Sequence, residues 1–181
     1  MHSCFMKRKK VFESTDGETA YETLIQRFEQ PVFNIIGRLI DNQSETGAVV
    51  EKAFREIFRN VGTFRGEGSL KNWIYRIAVS AARNHGRWFR WRWRRRVGPG
   101  REPESRALIE EALSAMHPKL RAALVLREIA GLSYEEIAEI LGASPDTARS
   151  RTARAREALT KHLAGRIDSS TIPGWSAELA E

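Results

Sequence analysis

A cluster of arginines at helical spacing follows a helix-start signal near the C-terminus of this chain. Ser144-Pro145 combines a good N-cap with proline at the first helical position. The helix it opens presents Thr147, Arg149, Ser150, Arg151, Arg154 and Arg156. A guanidinium can hold O6 and N7 of guanine through two donors, and the free amides of a helix N-terminus can donate to a phosphate. Arg149, Ser150, Ala153 and Arg154 are spaced to approach base edges, while Arg151 and Arg156 suit flanking phosphates. Upstream, Ser133-Tyr134-Glu135-Glu136 has the Ser-x-x-Glu spacing of a capping box, which predicts a short helix through Ile137, Ile140 and Leu141. Gly142 supplies a turn that tolerates a positive φ, and the small Ala138 lets the two helices approach. Two helices joined this way form a helix-turn-helix, whose second helix enters the major groove. A solvated basic helix in an ordinary bundle would explain the apolar stripes, but not the capping box, the glycine, Ser144-Pro145 and the arginine face in one register.

A second stretch with chemical potential is Arg87-Trp88-Phe89-Arg90-Trp91-Arg92-Trp93-Arg94-Arg95-Arg96, where cations alternate with rings. Such a run can stack on unpaired bases and hold phosphates, with cation–π contacts between its own members. Two other readings fit the same residues: tryptophans packing a domain end beneath solvated arginines, or a run lying on an acidic membrane surface.

These groups need a scaffold, and the pattern that supplies it is helical throughout. Tyr21, Leu24, Ile25, Phe28, Val32, Ile35, Ile36 and Leu39 step by three and four along one stripe, with Pro31 inside it as an expected kink. Val49, Val50, Phe54, Ile57, Phe58 and Val61 form a second stripe that should face the first. After Gly62 to Gly68, Ser69 is a good N-cap for a third helix carrying Leu70, Trp73, Ile74, Ile77, Ala78 and Ala81. Gly98-Pro99-Gly100-Arg101-Glu102-Pro103 breaks any helix and marks a boundary. Beyond it, Leu108 to Met116, then Pro118 to Leu126, read as two more helices before the helix-turn-helix, whose small core is expected from Ile137, Leu141 and Leu159. The expected fold class is all-α, with two small helical domains at 21–93 and 107–164. A flexible linker at 94–106 joins them, with an extension at 1–20 and a tail at 165–181.

Composition narrows the function classes. Lys and Arg number 30 against 23 Asp and Glu, and the net +7 favours a polyanionic partner such as nucleic acid. The single cysteine, Cys4, allows no intrachain disulfide and fits a reducing compartment. His2 and Cys4 are two ligand types on a chain end, too few for a metal set, so no metal or cofactor is expected. The basic residues at Lys7 to Lys10 are followed by no apolar run, so no signal peptide is expected, and no stretch is long and apolar enough to span a bilayer. The expected location is cytoplasmic. His2, His85, His117 and His162 are scattered, no Gly-rich phosphate loop is present, and Ser, His and acid form no constellation, so no enzyme and no small-molecule substrate are expected.

Two segments carry a resemblance to a known family. The first is Phe64-Arg65-Gly66-Glu67 followed by Trp73-Ile74-Tyr75-Arg76-Ile77-Ala78; the second runs from Leu132-Ser133-Tyr134-Glu135-Glu136-Ile137-Ala138 to Arg149-Ser150-Arg151 and Ala153-Arg154-Ala155-Arg156. In this order and separation they resemble the extracytoplasmic-function sigma factors of the bacterial sigma-70 family, over roughly Tyr21 to Gly165. The resemblance implies an initiation factor that brings core RNA polymerase to promoters. Its sigma domain two would open the −10 element and its sigma domain four would read the −35 element. It places Val50, Glu51, Phe54 and Ile57 against the clamp of the polymerase beta-prime subunit. Phe64 and Arg65 begin a loop that captures a flipped −10 base, with Trp73, Arg76, Ser80 and Asn84 beside it and Arg87 and Arg90 further along. By its spacing with Leu70 and Ile77, Trp73 fits a core position equally well. Ser144, Thr147, Arg149, Ser150, Arg151, Ala153, Arg154 and Arg156 fall on the −35 side. The resemblance also implies an anti-sigma factor as partner, often membrane-anchored. The chain departs from the family pattern at Ala48, where an acid is usual, at Glu51-Lys52, where Gln-Glu is usual, at Ser80, where asparagine is common, and at Ala148, where a β-branched residue is common. The alternative from another class is a stand-alone helix-turn-helix regulator that recruits no polymerase, for which Phe64 to Asn84 has no use. An RNA-binding adaptor built on the Arg/Trp run would leave the second half unexplained.

Overall fold

The computed structural model describes residues 15–64, 66, 68–90 and 104–164, with the side chains of 15–20, 86–90 and 104–106 left aside. Among the described residues every regular element is helical: α1 (Thr15–Leu39), α2 (Thr46–Asn60), α3 (Leu70–Arg90), α4 (Glu104–Ala115), α5 (Pro118–Glu128), α6 (Tyr134–Leu141) and α7 (Pro145–Leu163). The expected all-α class is the one found.

The first three helices form a bundle because each carries one apolar stripe that must be covered. Phe28, Val32, Ile35 and Ile36 of α1 meet Val49, Val50, Ala53, Phe54 and Ile57 of α2 and Ile74, Ile77, Ala78 and Ala81 of α3 in one core. Ring pairs Tyr21–Phe58 and Phe28–Tyr75, edge-on at 4.9 and 6.3 Å, extend it along α1. Burial pushes the Tyr75 phenol up from its usual pKa. Pro31 lies inside α1, and the helix continues through it. Asn42 starts the turn into α2, its side-chain oxygen accepting the Ser44 N–H at 3.2 Å.

The second half divides its apolar residues between two cores. Ala112, Leu113, Met116, Leu124, Ala155, Leu159 and Leu163 form a core shared by α4, α5 and α7. Ala123, Val125, Leu126, Leu132, Ile137, Ala138, Ile140 and Ala148 instead join the core of α1–α3. Leu159 and Ile137 therefore belong to different clusters, unlike the single small core expected from Ile137, Leu141 and Leu159. The cause is α5, in which every residue from Arg121 to Leu126 is buried. A helix that is apolar all round needs neighbours on all sides, and α5 has α7 on one side and α1 on the other.

Arg121 is the one charged residue of this buried run. Its Nε donates to the Arg38 carbonyl at 2.5 Å, its Nη2 to the Ile40 carbonyl at 2.9 Å, and its Nη1 to Asp41 Oδ1 at 2.6 Å. The carbonyls at the end of α1 have no intrahelical donor and carry the negative end of the helix dipole, so a guanidinium fits there. Burial lowers the Arg121 pKa, and the hydrogen bond and charge of Asp41 oppose that shift.

Candidate nucleic-acid interface

The helix-turn-helix is built as its sequence dictates. Ser133 caps α6: its Oγ accepts the Glu136 N–H at 3.2 Å, and its own N–H donates to Glu136 Oε2 at 2.9 Å. The Lys71 ammonium, 2.7 Å away, and the Ser133 N–H hold the Glu136 carboxyl below the usual carboxylate range. Gly142 closes α6 with φ 61°, a left-handed conformation that costs residues with a Cβ about 1–2 kcal/mol. The Ala143 N–H then donates to the Ala138 carbonyl at 2.9 Å. Ser144 caps α7, accepting the Thr147 N–H at 3.2 Å, with Pro145 in the first turn.

Along α7, Ala148, Thr152, Ala155, Leu159 and Leu163 point inward. The buried Thr152 hydroxyl donates back to the Ala148 carbonyl at 2.9 Å. Arg149, Ser150, Ala153 and Arg154 are all exposed on the outer side, which is the face a groove would meet. Ser144, Thr147 and Arg156 have partners within the chain. Ser144 and Thr147 share a 2.8 Å hydroxyl contact in the cap. Half-buried Arg156 donates twice to Glu128 Oε1, at 3.0 and 2.7 Å, and so ties α7 to α5 rather than standing free for a phosphate. Arg151 is half-buried. Arg149 and Arg127 lie over the ring of Tyr134, at 5.2 and 4.8 Å from its centroid. Arg127 also donates to the Leu132 carbonyl at 2.9 Å. Tyr134 was not singled out in the sequence, although it stands inside the capping box that was.

On α3, residues 73, 76, 80 and 84 step by three and four and share one face. Trp73 is half-buried and tilts against Phe64, ring centroids 5.7 Å apart. Ser80 is half-buried and Asn84 exposed. Arg76 is exposed but engaged: its Nη2 donates to the Glu139 carbonyl at 3.0 Å and lies 3.4 Å from Glu139 Oε1. Next to it the buried Asn72 donates from Nδ2 to Glu139 Oε2 at 2.8 Å. Arg65 and most of the Arg/Trp run lie outside the described residues; Arg87 and Arg90 belong to the last turns of α3, their side chains likewise outside.

On α2 the structure corrects an expectation. Val50, Phe54 and Ile57 are buried in the core against α1 and α3, so these side chains cannot meet another protein while the bundle is folded. Only Glu51 of that group reaches the surface, where it pairs with Arg55 at 2.7 Å. Lys52, Arg55, Glu56 and Arg59 are exposed on the same helix. The apolar spacing of Val50, Phe54 and Ile57 already placed them on the inward stripe.

Among the described residues no group of three or more His, Cys, Asp or Glu could hold a metal ion, and no helix is long and apolar enough to cross a membrane.

Comparison with known proteins finds a family match for each half of the chain. Residues 24–96 match the family described as Sigma-70 region 2, and residues 106–159 match Sigma-70, region 4. The chain is 30% identical over 176 residues to the RNA polymerase sigma-H factor of Pseudomonas aeruginosa, covering 80% of this chain and 86% of that one. It is 29% identical over 174 residues to the ECF RNA polymerase sigma-E factor of Escherichia coli K12, covering 78% of this chain and 85% of the relative. In fold it is similar to the sigma factor RpoE of Bartonella quintana, solved with the anti-sigma factor NepR. The TM-score is 0.67 at 20% identity, over 82% of this chain and 99% of that one. It is also similar to CnrH, solved with the cytosolic domain of CnrY, with a TM-score of 0.68 at 21% identity over 83% and 91% of the two chains.

Proposed function

Because the chain belongs to the extracytoplasmic-function sigma factors of the sigma-70 family and so directs core RNA polymerase to promoters, we propose how its own residues divide that work. The observation that carries the reading is the presence, in one chain and in order, of two helix faces suited to DNA: the α3 face and the outer face of α7.

Domain four, residues 107–164, reads the −35 element through Arg149, Ser150, Ala153 and Arg154, with Arg151 toward the phosphates. Arg149 enters the groove already stacked on Tyr134, which limits the rotamer freedom it loses on binding. Ser144 and Thr147 present the N-terminus of α7 to the backbone, and Arg156 reaches a phosphate only by leaving Glu128. Domain two, residues 21–93, holds the melted −10 strand. Phe64 and Trp73 form an aromatic platform for an unstacked base, Ser80 and Asn84 contact its polar edge, and Arg76, with Arg65, Arg87 and Arg90, contacts phosphates. Unstacking a base costs a few kcal/mol, which these contacts must offset. The outward side of α2, with Glu51 and Lys52, meets the polymerase clamp. The family consists of non-catalytic factors, and we read this chain as adding no chemistry of its own and acting in the cytoplasm. By likeness to the RpoE–NepR complex, an anti-sigma factor is its further partner.

Transcription on paired promoter templates, one fully duplex and one mismatched across the −10 region, tests the division. Asn84→Ala is expected to lose most activity on duplex and regain it on the premelted template. Arg154→Ala should be defective on both. Equal loss of Asn84→Ala on the two templates would remove α3 from melting.

A further inference from the structure

The end of α5 and the start of α6 form a frame against which the recognition helix rests. Arg127 and Glu128, neighbours at the end of α5, each hold one helix of the helix-turn-helix. Glu128 Oε1 accepts two bonds from Arg156 of α7, at 3.0 and 2.7 Å. Arg127 donates to the Leu132 carbonyl at 2.9 Å and places its guanidinium carbon 4.8 Å from the centre of the Tyr134 ring. That ring is half-buried and packs against the cluster that includes Leu126, Leu132, Ile137 and Ala148, so it does not turn freely.

Arg149 of α7 brings a second guanidinium to the same ring, its carbon 5.2 Å from the centroid. The two arginines differ in what else holds them. Arg127 is tied to a backbone carbonyl, whereas Arg149 is exposed on the outer face of α7. Attraction of a cation to the ring quadrupole spends no particular N–H donor, so the planar fork of Arg149 keeps its donors for a base edge. Arg156 is the contrast, because donors given to a carboxylate are committed to the protein. A bidentate contact to guanine O6 and N7 needs the fork in one plane and one direction. A long unbranched side chain at an exposed helix position otherwise samples many rotamers. The ring removes much of that freedom before DNA arrives.

We propose that Tyr134 is a positioning residue for −35 reading: its ring, steadied by Arg127, sets the direction of the Arg149 guanidinium and thereby the preference at the base pair Arg149 meets. This rests on the outer face of α7 being the −35 reader. Specificity at that pair then depends on an aromatic ring that touches no base, and on its π face rather than its hydroxyl.

The test uses holoenzyme reconstituted from the full chain and core polymerase, with a duplex promoter fragment that the wild type transcribes. Relative affinities for all single-base −35 variants of that fragment are measured at several salt concentrations. Arg149→Ala should lose discrimination at one base pair by about 5- to 150-fold. Tyr134→Leu, which keeps an apolar side chain in place, should lose most of that factor at the same pair and leave the salt slope unchanged. Tyr134→Phe should keep it. Tyr134→Leu combined with Arg149→Ala should be no worse than Arg149→Ala alone, because nothing is left to position. A general loosening of the fold in Tyr134→Leu would instead weaken binding to every variant alike and add to Arg149→Ala, which overturns the proposal. Equal loss in Tyr134→Phe and Tyr134→Leu, with the salt slope smaller by about 0.9, would make the hydroxyl a phosphate contact and also overturn it. Discrimination kept in Tyr134→Leu, or kept in Arg149→Ala but lost in Arg154→Ala, overturns positioning and leaves α7 as the reader. If neither Arg149→Ala nor Arg154→Ala changes discrimination at any −35 pair, the −35 reading fails and the proposal with it.

Discussion

Phe54→Ala is expected to destabilise the protein by about 3–5 kcal/mol, the range for removing a large aromatic side chain from a packed core. Phe54 is 1% exposed and lies among Val50, Ile57 and the α1 and α3 stripes, with the Phe58 ring 5.8 Å away. The cavity would open between three helices that each contribute long apolar side chains, so it cannot collapse without moving a whole helix. Urea unfolding followed by circular dichroism measures the change. The outward residues of α2 provide the contrast: Lys52→Ala should shift stability by no more than about 0.5 kcal/mol and act on polymerase affinity alone. An unchanged unfolding midpoint for Phe54→Ala, together with weakened polymerase binding, would put that ring on the docking surface and contradict its place in the core.

Arg154→Ala should cost about 1–3 kcal/mol of discrimination at one −35 position, by loss of a bidentate contact to a guanine edge. Arg154 is exposed on the outer face of α7, one helical turn from Ser150, and the inward Ala155 and Thr152 fix its direction. Binding to a set of single-base −35 variants at fixed salt reads the effect. The lost energy should concentrate at one base pair and leave the salt slope nearly as it was. Uniform weakening across all sequences, with the salt slope reduced by about one, would instead make Arg154 a phosphate contact.

Much of the local structure was legible because it depends on neighbours in sequence. The stripes of α1, α2 and α3, the capping box at Ser133, the left-handed Gly142 and the Ser144-Pro145 start all follow from spacing and residue type. What was not legible depends on which element meets which. The run Arg121-Ala122-Ala123-Leu124-Val125-Leu126 is apolar around its whole circumference apart from Arg121, a signal that α5 needs neighbours on two sides. Nothing in the run says that one neighbour is α1, or that Arg121 closes on the carbonyls of Arg38 and Ile40, some eighty residues away. Glu139 reads as a solvated acid on a short helix, and only the fold brings it to Asn72 and Arg76. Val50, Phe54 and Ile57 are buried on the inward stripe of α2, where their apolar spacing puts them, whereas the likeness of a segment does not say which face of its helix is outward. Tyr134 could have been found: a ring in the first turn of α6, ahead of an arginine-bearing helix, is a ready stacking partner for Arg149.

The consequence is a chain in which acidic and basic residues are opposed across the two halves. Lys71, Arg76 and Arg121 supply cations, and Glu136, Glu139 and Asp41 supply the anions that meet them.

The central claim is that the chain starts transcription rather than merely binding DNA. The most direct measurement is run-off transcription with purified core RNA polymerase on a promoter library, with and without the chain. The account predicts transcripts with defined start sites from a small set of templates, absent without the chain. Tight duplex binding by the chain with no promoter-specific transcript from any template would contradict it.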